Sequence, residues 1–171
     1  MVSCWDKTSD NLCPDCGTEE TAAHLMVCPG HSRTLLLKQE VEDLERWMRN
    51  NNTDSAIAFW IPKCILLRNT RALSYFPNLP DKLKLFAAEQ YAIGWREFTE
   101  ERISGALIEV QRSHMNATGG RVTLRRRTKT FITKLLHITQ SQWIHRNSSL
   151  HQHENGYLDK QLKKKSTKDV V

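Results

Sequence analysis

The sequence predicts an all-α fold, with a small cysteine- and histidine-rich appendage ahead of an irregular helical bundle that ends in one long helix. Three observations lead there. Cysteine and histidine crowd into residues 13–28 at metal-ligand spacing. From Leu37 to Trp143 apolar residues recur at intervals of three and four, and nowhere does apolar–polar alternation last long enough to specify a strand. With 171 residues, 39% of them hydrophobic, the chain has room for one ordinary domain plus that appendage.

The elements follow in order. After the cysteine cluster, Ser32 is placed to cap a helix through about Asn50, with Leu37, Val41, Leu44 and Met48 on one face and Leu36 and Trp47 widening it. The run 50–54 breaks that helix, and Thr53 is the expected cap of a short apolar helix containing Ile57, Phe59 and Trp60, which Pro62 should kink or restart. Residues 70–80, with Pro77 and Pro80, read as a linker, after which Asp81 caps a helix whose stripe is Leu83, Phe86, Ala87 and Gln90, interrupted at Gly94. Ile103, Leu107, Val110 and His114 mark the next helix, ended by Gly119 and Gly120. The longest helix runs from Arg121 to about Ser149. One stripe carries Leu124, Thr128, Phe131, Leu135, Ile138 and Gln142, and a neighbouring stripe carries Ile132, Leu136, Thr139 and Trp143. Three segments result: a knuckle over 1–31, a bundle over 32–153 with a break at 70–80, and a polar basic tail over 154–171, read as solvated or frayed.

Cys13-Pro14-Asp15-Cys16 and the later His24 and Cys28 have the form C-x2-C-x7-H-x3-C. Two cysteines separated by two residues let a tight turn present both thiolates to one ion, and Gly17 supplies the positive φ that such a turn requires. Thr18 is the expected cap of a helix that carries His24 and Cys28 on one face, with Glu19 and Glu20 at its positive end and Pro29 ending it. Three thiolates and an imidazole complete a tetrahedral shell with no open position, so Cys13, Cys16, His24 and Cys28 are expected to hold one structural zinc ion as a small CCHC knuckle. The competing reading of Cys13 and Cys16 as a redox pair lacks a surrounding βαβ pattern. Cys4 is a surface thiol or a spare ligand, Cys64 reads as a buried inert thiol, and His137, His145, His151 and His153 have no partners to complete a second site. Five cysteines, three of them at ligand spacing, also argue against a secreted disulfide framework.

Net charge is +6, but unevenly spread. Residues 1–109 carry 12 Lys/Arg against 16 Asp/Glu, residues 110–153 carry eight Lys/Arg and no carboxylate, and residues 154–171 carry five against three. A one-signed field attracts polyanions. Arg121, Arg125, Arg126, Arg127, Lys129, Lys134 and Arg146 lie on or beside the long helix and are the expected contacts to the phosphates of RNA or DNA. The alternative is a solvated face offset by Glu40, Glu42, Asp43 and Glu45. Trp143 either stacks on a base or packs in the core, and its place on an apolar stripe favours the core, with Arg146 and Asn147 then capping or pairing near the helix end.

The string Cys-Pro-x-Cys-Gly, Glu-Glu-Thr, His-Leu and Cys-Pro resembles the zinc-binding segment that follows the polymerase domain in non-LTR retrotransposon reverse transcriptases. The matching positions are Cys13, Pro14, Cys16, Gly17, Glu20, Thr21, His24, Leu25, Cys28 and Pro29. Farther on, Gln90 to Phe98, Ser104, Gln111, Gln142 to Asn147 and His151 are similar to the C-terminal region of reverse-transcriptase-like reading frames of microalgae. The polymerase is missing: Tyr157-Leu158-Asp159-Lys160 lacks the second carboxylate of the catalytic turn. The resemblance therefore implies a detached or domesticated C-terminal module that contacts nucleic acid without reverse transcription, or a fragment of a decayed element.

No nucleophile–base pair, glycine-rich phosphate loop or carboxylate pair is legible, so no catalysis and no small-molecule substrate are expected. Pro80-Asp81-Lys82-Leu83-Lys84 has a superficial likeness to a nuclease motif, but Asp81 opens a helical pattern rather than a strand. The rival to nucleic-acid binding is a zinc-clipped helical domain that is structural or engages a protein partner. No run of apolar residues is long enough to span a bilayer and no leader pattern precedes the cysteines, so an intracellular place, nucleus or cytoplasm, is expected. Arg125-Arg126-Arg127 and Lys163-Lys164-Lys165 are short candidates for nuclear import.

Overall fold

A computed structural model describes residues 12–21, 24–68, 73, 76–94, 96–100, 102–119 and 122–166, with 96 and 151–166 as backbone only. It is all-α. The order is α1 (His24–Val27), α2 (His31–Asn50), α3 (Ser55–Leu66), α4 (Asp81–Ile93), a 3-10 turn (Arg96–Glu100), α5 (Gly105–Thr118) and α6 (Leu124–Ser166). Among the described residues there is no strand, only one isolated bridge between Leu12 and Glu19. No helix among them is long and apolar enough to cross a membrane.

Periodicity chose the buried faces well. Leu37, Val41, Leu44 and Met48 of α2 are buried together, as are Leu83, Phe86, Ala87 and Gln90 of α4. Helix α2 packs on α3 and α6, α4 packs on α5, and the 3-10 turn and α5 close against α6. An aromatic chain crosses these layers: Phe86 to Phe98 at 6.2 Å between ring centres, then Phe98 to Phe131 at 6.5 Å. Such pairs add about 0.5–1.5 kcal/mol each beyond the area they bury. Pro62 lies buried inside α3, which continues through it to Leu66. In the stretch expected to be a linker, Leu73 and Leu79 are buried in the same core cluster as residues before and after it.

Helix starts differ from those the sequence predicts, because a cap is chosen by geometry among adjacent polar residues. Asp54, not Thr53, caps α3, its carboxylate accepting from the N–H of Ala56 at 2.9 Å while Lys82 Nζ sits 2.6 Å from the other oxygen. Asp81 is the first residue of α4 after Pro80, and its side chain makes no cap bond but pairs with Lys84. Ser32 does not cap α2, which begins after Gly30; its hydroxyl donates to Asp15 Oδ1 at 2.7 Å. Ser104 caps α5.

On α6 only one stripe is covered. Phe131, Leu135, Ile138 and Gln142 are buried, while Leu136 is exposed and Trp143 is 55% exposed, so the expected core packing of Trp143 is wrong. The helix also continues past Ser149 to Ser166, through a stretch rich in Lys, Gln and Leu that favours helix and contains no proline.

The buried glutamines staple the joints. Gln90 Nε2 donates to the carbonyls of Gly94 and Arg102 at 3.0 and 2.9 Å and its Oε1 accepts from Ser104 N–H. Gln111 accepts from Asp54 N–H and donates to Asn52 O, tying α5 to the turn between α2 and α3. Each satisfies backbone groups whose burial unpaired costs about 1–3 kcal/mol. Gln90, Ser104, Gln111 and Gln142, all buried, thus have structural roles.

Candidate metal centre

The loop before α1 is a tight hairpin. Cys13 N–H donates to Thr18 O at 2.7 Å and Gly17 N–H to Cys13 O at 2.8 Å, folding Cys13 and Cys16 to one side. Gly17 sits at φ 73°, where a side chain would be strained even though open space surrounds it. Thr18 therefore belongs to the hairpin and does not cap a helix; its Oγ1 lies 3.1 Å from Cys16 Sγ. Ahead of α1 the Thr21 hydroxyl accepts from His24 N–H at 3.1 Å. Helix α1 is a single turn, and Cys28 follows it. At Gly30 an added Cβ would stand 2.6 Å from Asp15 Cβ and 3.3 Å from Cys28 Sγ, so only glycine lets the chain pass the cluster.

The four side chains converge as the spacing predicted. One ligand atom from each of Cys13, Cys16, His24 and Cys28 lies within 4.8 Å of the others. Cys13 Sγ and Cys28 Sγ are 3.6 Å apart, and Cys16 Sγ is 3.2 Å from His24 Nε2. A tetrahedral ion with sulfur at about 2.3 Å puts its ligands about 3.8 Å from one another, so the group is close to the required size. Burial pushes the Cys13 thiol up to about 12 and the Cys28 thiol upward as well. For Cys16 partial desolvation also pushes upward, but hydrogen bonds from Thr18 outweigh it and bring the thiol to about 6. Buried neighbouring thiols resist ionising without a cation between them, which is the condition a metal ion satisfies.

A second layer of charged side chains surrounds the hairpin. Arg33, on α2, is completely buried and places its Nε 2.7 Å from Asp15 Oδ2 and its Nη2 3.7 Å from Glu20 Oε2, both in the hairpin. From α6, His145 Nδ1 approaches Asp15 at 3.9 Å, Arg146 Nε approaches Glu20 at 3.7 Å, and Gln142 Nε2 donates to Arg33 O at 3.2 Å. Desolvation would raise the Asp15 pKa, but the bonds from Ser32 and Arg33 prevail and lower it. The hairpin is thereby clamped between α2 and α6. The only advance signal was an arginine in line with the apolar face of α2, four residues before Leu37.

The basic residues separate. Arg125, Arg126 and Lys129 are exposed and make no ion pair among the described residues. Arg127 is a correction: it is 8% exposed, turned inward, and its pKa is lowered by desolvation. Arg146 is half-buried against Glu20 rather than free for phosphate, and Lys134 lies 5.7 Å over the Trp47 ring. Arg121 lies outside the described residues, as do Cys4 and the side chains of His151 and His153. His137 pairs with Glu40 at 3.0 Å. Cys64 is buried, its thiol pushed up to about 12 by desolvation, the inert thiol expected. Protein-family models, curated proteins and solved structures were compared with the chain, and none matches it.

Proposed function

We propose that the chain is a non-catalytic nucleic-acid-binding module whose N-terminal knuckle is held by one structural zinc ion. The donor set of three thiolates and an imidazole is a common closed zinc shell, and all four positions are supplied by protein. The single observation that carries nucleic-acid binding is the surface of α6 at Arg125, Arg126 and Lys129: three exposed cations without an acidic partner among the described residues, in a stretch of 44 residues with no carboxylate. A solvated face normally mixes signs, whereas a phosphate-binding face does not. The resemblance to retroelement zinc segments points the same way.

Zinc here has no reaction to perform. Cys13, Cys16, His24 and Cys28 would hold it, and the Asp15–Arg33–Glu20 cluster would fix the hairpin on α2 and α6, so that α6 is presented as a rigid basic rod. Arg125, Arg126 and Lys129 contact phosphates, and Trp143, exposed farther along the same helix, offers a face for stacking a base. The test is binding of labelled single-stranded and duplex RNA and DNA at several salt concentrations. Affinity should fall steeply with salt, and replacing the three cations by alanine should reduce the slope of log K against log salt by about three. A salt-independent or undetectable affinity refutes the proposal.

The second reading, a zinc-clipped protein-interaction domain, is favoured by one observation: Trp143 and the adjacent Ile144 are 55% and 49% exposed. An interface built on them would lose affinity on Trp143→Ala with little change in salt dependence.

A further inference from the structure

Arg127 is the least accounted-for side chain of the bundle. It lines a cavity of about 30 Å³ between α2, α3, α5 and α6, walled by Trp47, Ile57, Leu107 and Phe131. Its Nε and Nη1 are sealed from solvent and have no hydrogen-bond partner among the described residues, and the same holds for Thr53 Oγ1, which lines the same cavity. Gln111 also reaches it, but its amide is committed to Asp54 N–H and Asn52 O. No carboxylate is among the lining residues. A buried guanidinium without a counter-charge is costly, and burial already lowers the Arg127 pKa; an anion in contact reverses that.

We propose that this cavity is a receptor for one small carboxylate anion, held by the Arg127 guanidinium with the Thr53 hydroxyl as a second donor. Size and surroundings select the class. The volume has room for about two water molecules by the usual threshold, which suits a formate-sized carboxylate and is too small for a phosphate. Apolar walls favour a singly charged anion over a doubly charged one. The guanidinium supplies charge-assisted donors of the kind that carboxylates recognise. This site faces the core rather than the exposed basic surface of α6, so it stands or falls independently of nucleic-acid binding.

The test uses the full chain, with sodium formate and sodium acetate titrated against sodium chloride at constant ionic strength. Two readouts are followed: the thermal unfolding midpoint, and the arginine Nε–H signals of nitrogen-15-labelled protein. The expected result is a rise of about 4 °C at tenfold excess over the dissociation constant, growing with the logarithm of concentration beyond it, with one protected Nε–H signal moving to saturation and chloride without effect. Arg127→Met should lose both responses while unfolding at no lower temperature than the wild type in carboxylate-free buffer. A wild-type response equal to that of chloride, or an acetate response retained in Arg127→Met, overturns the proposal. Should that variant fail to fold, the wild-type Nε–H signal decides alone, since saturation by acetate supports the site and an unmoved signal refutes it.

Discussion

The knuckle, residues 12–30, and the bundle that follows are held in different ways. Among the described residues of the knuckle the buried side chains are those of Cys13 and Cys28, with the carboxylates of Asp15 and Glu20 pressed against Arg33. In the bundle they are mostly apolar, Leu, Ile and Phe above all, joined in one continuous cluster from Leu37 to Ile138 with a few buried polar groups beside it. A hairpin of that length cannot bury enough apolar surface to fold alone, so under the proposal its stability rests on the metal shell and on one ion-pair cluster. The bundle spreads its stability over many contacts, each replaceable at modest loss. Discrete links fail together, and distributed ones fail by degrees.

The largest expected effect lies in the knuckle. Cys13→Ala with Cys28→Ala should abolish metal binding, worth about 10–16 kcal/mol in isolated zinc-finger peptides, and with it hydrogen-exchange protection of the hairpin, while circular dichroism keeps the bundle helical. Collapse of the helical signal in the same variant would break the contrast between the two regions. Arg33→Met should cost about 3–5 kcal/mol, because Asp15 and Glu20 are left without their buried counter-charge. Leu135→Ala, in the bundle, should cost about 2–5 kcal/mol in denaturant melts and leave metal content unchanged.

Acidity should separate the regions as well. Near pH 7 the Cys16 thiol, at about 6, is already ionised, whereas Cys13, at about 12, and Cys28 must each give up a proton to bind metal. Affinity should therefore rise about 100-fold per pH unit between pH 7 and 8 and fall correspondingly on acidification, measured by competition with a chromophoric chelator. A slope of one proton or none would place the thiolates differently. At the small end, Asp54→Ala should cost about 1 kcal/mol through loss of the α3 cap.

How far the sequence reached depends on range. The ligand set was legible because two-residue and three-residue spacings act locally, and the faces of α2 and α4 were legible because a 3.6-residue period reports burial directly. What escaped was set by distant partners. Trp143 looked apolar and buried by period, but α2, α5 and the 3-10 turn cover only the neighbouring stripe of α6. Arg127 looked like one of three consecutive surface cations, and the helical rotation that exposes Arg125 and Arg126 turns it into the core. Arg33 gave no local sign that Asp15 and Glu20 would meet it from 18 and 13 residues away. Caps fell between these cases, since Thr53 and Asp54 can both cap a helix until the chain direction chooses one.

The most direct measurement is the metal content of the chain produced in zinc-supplemented medium, beside that of the Cys16→Ala, His24→Ala double variant. One zinc per chain, lost in the variant, is the expected result. A wild-type protein without zinc, or a variant that keeps it, would contradict the knuckle and leave the hairpin with no more than its ion pairs to hold it.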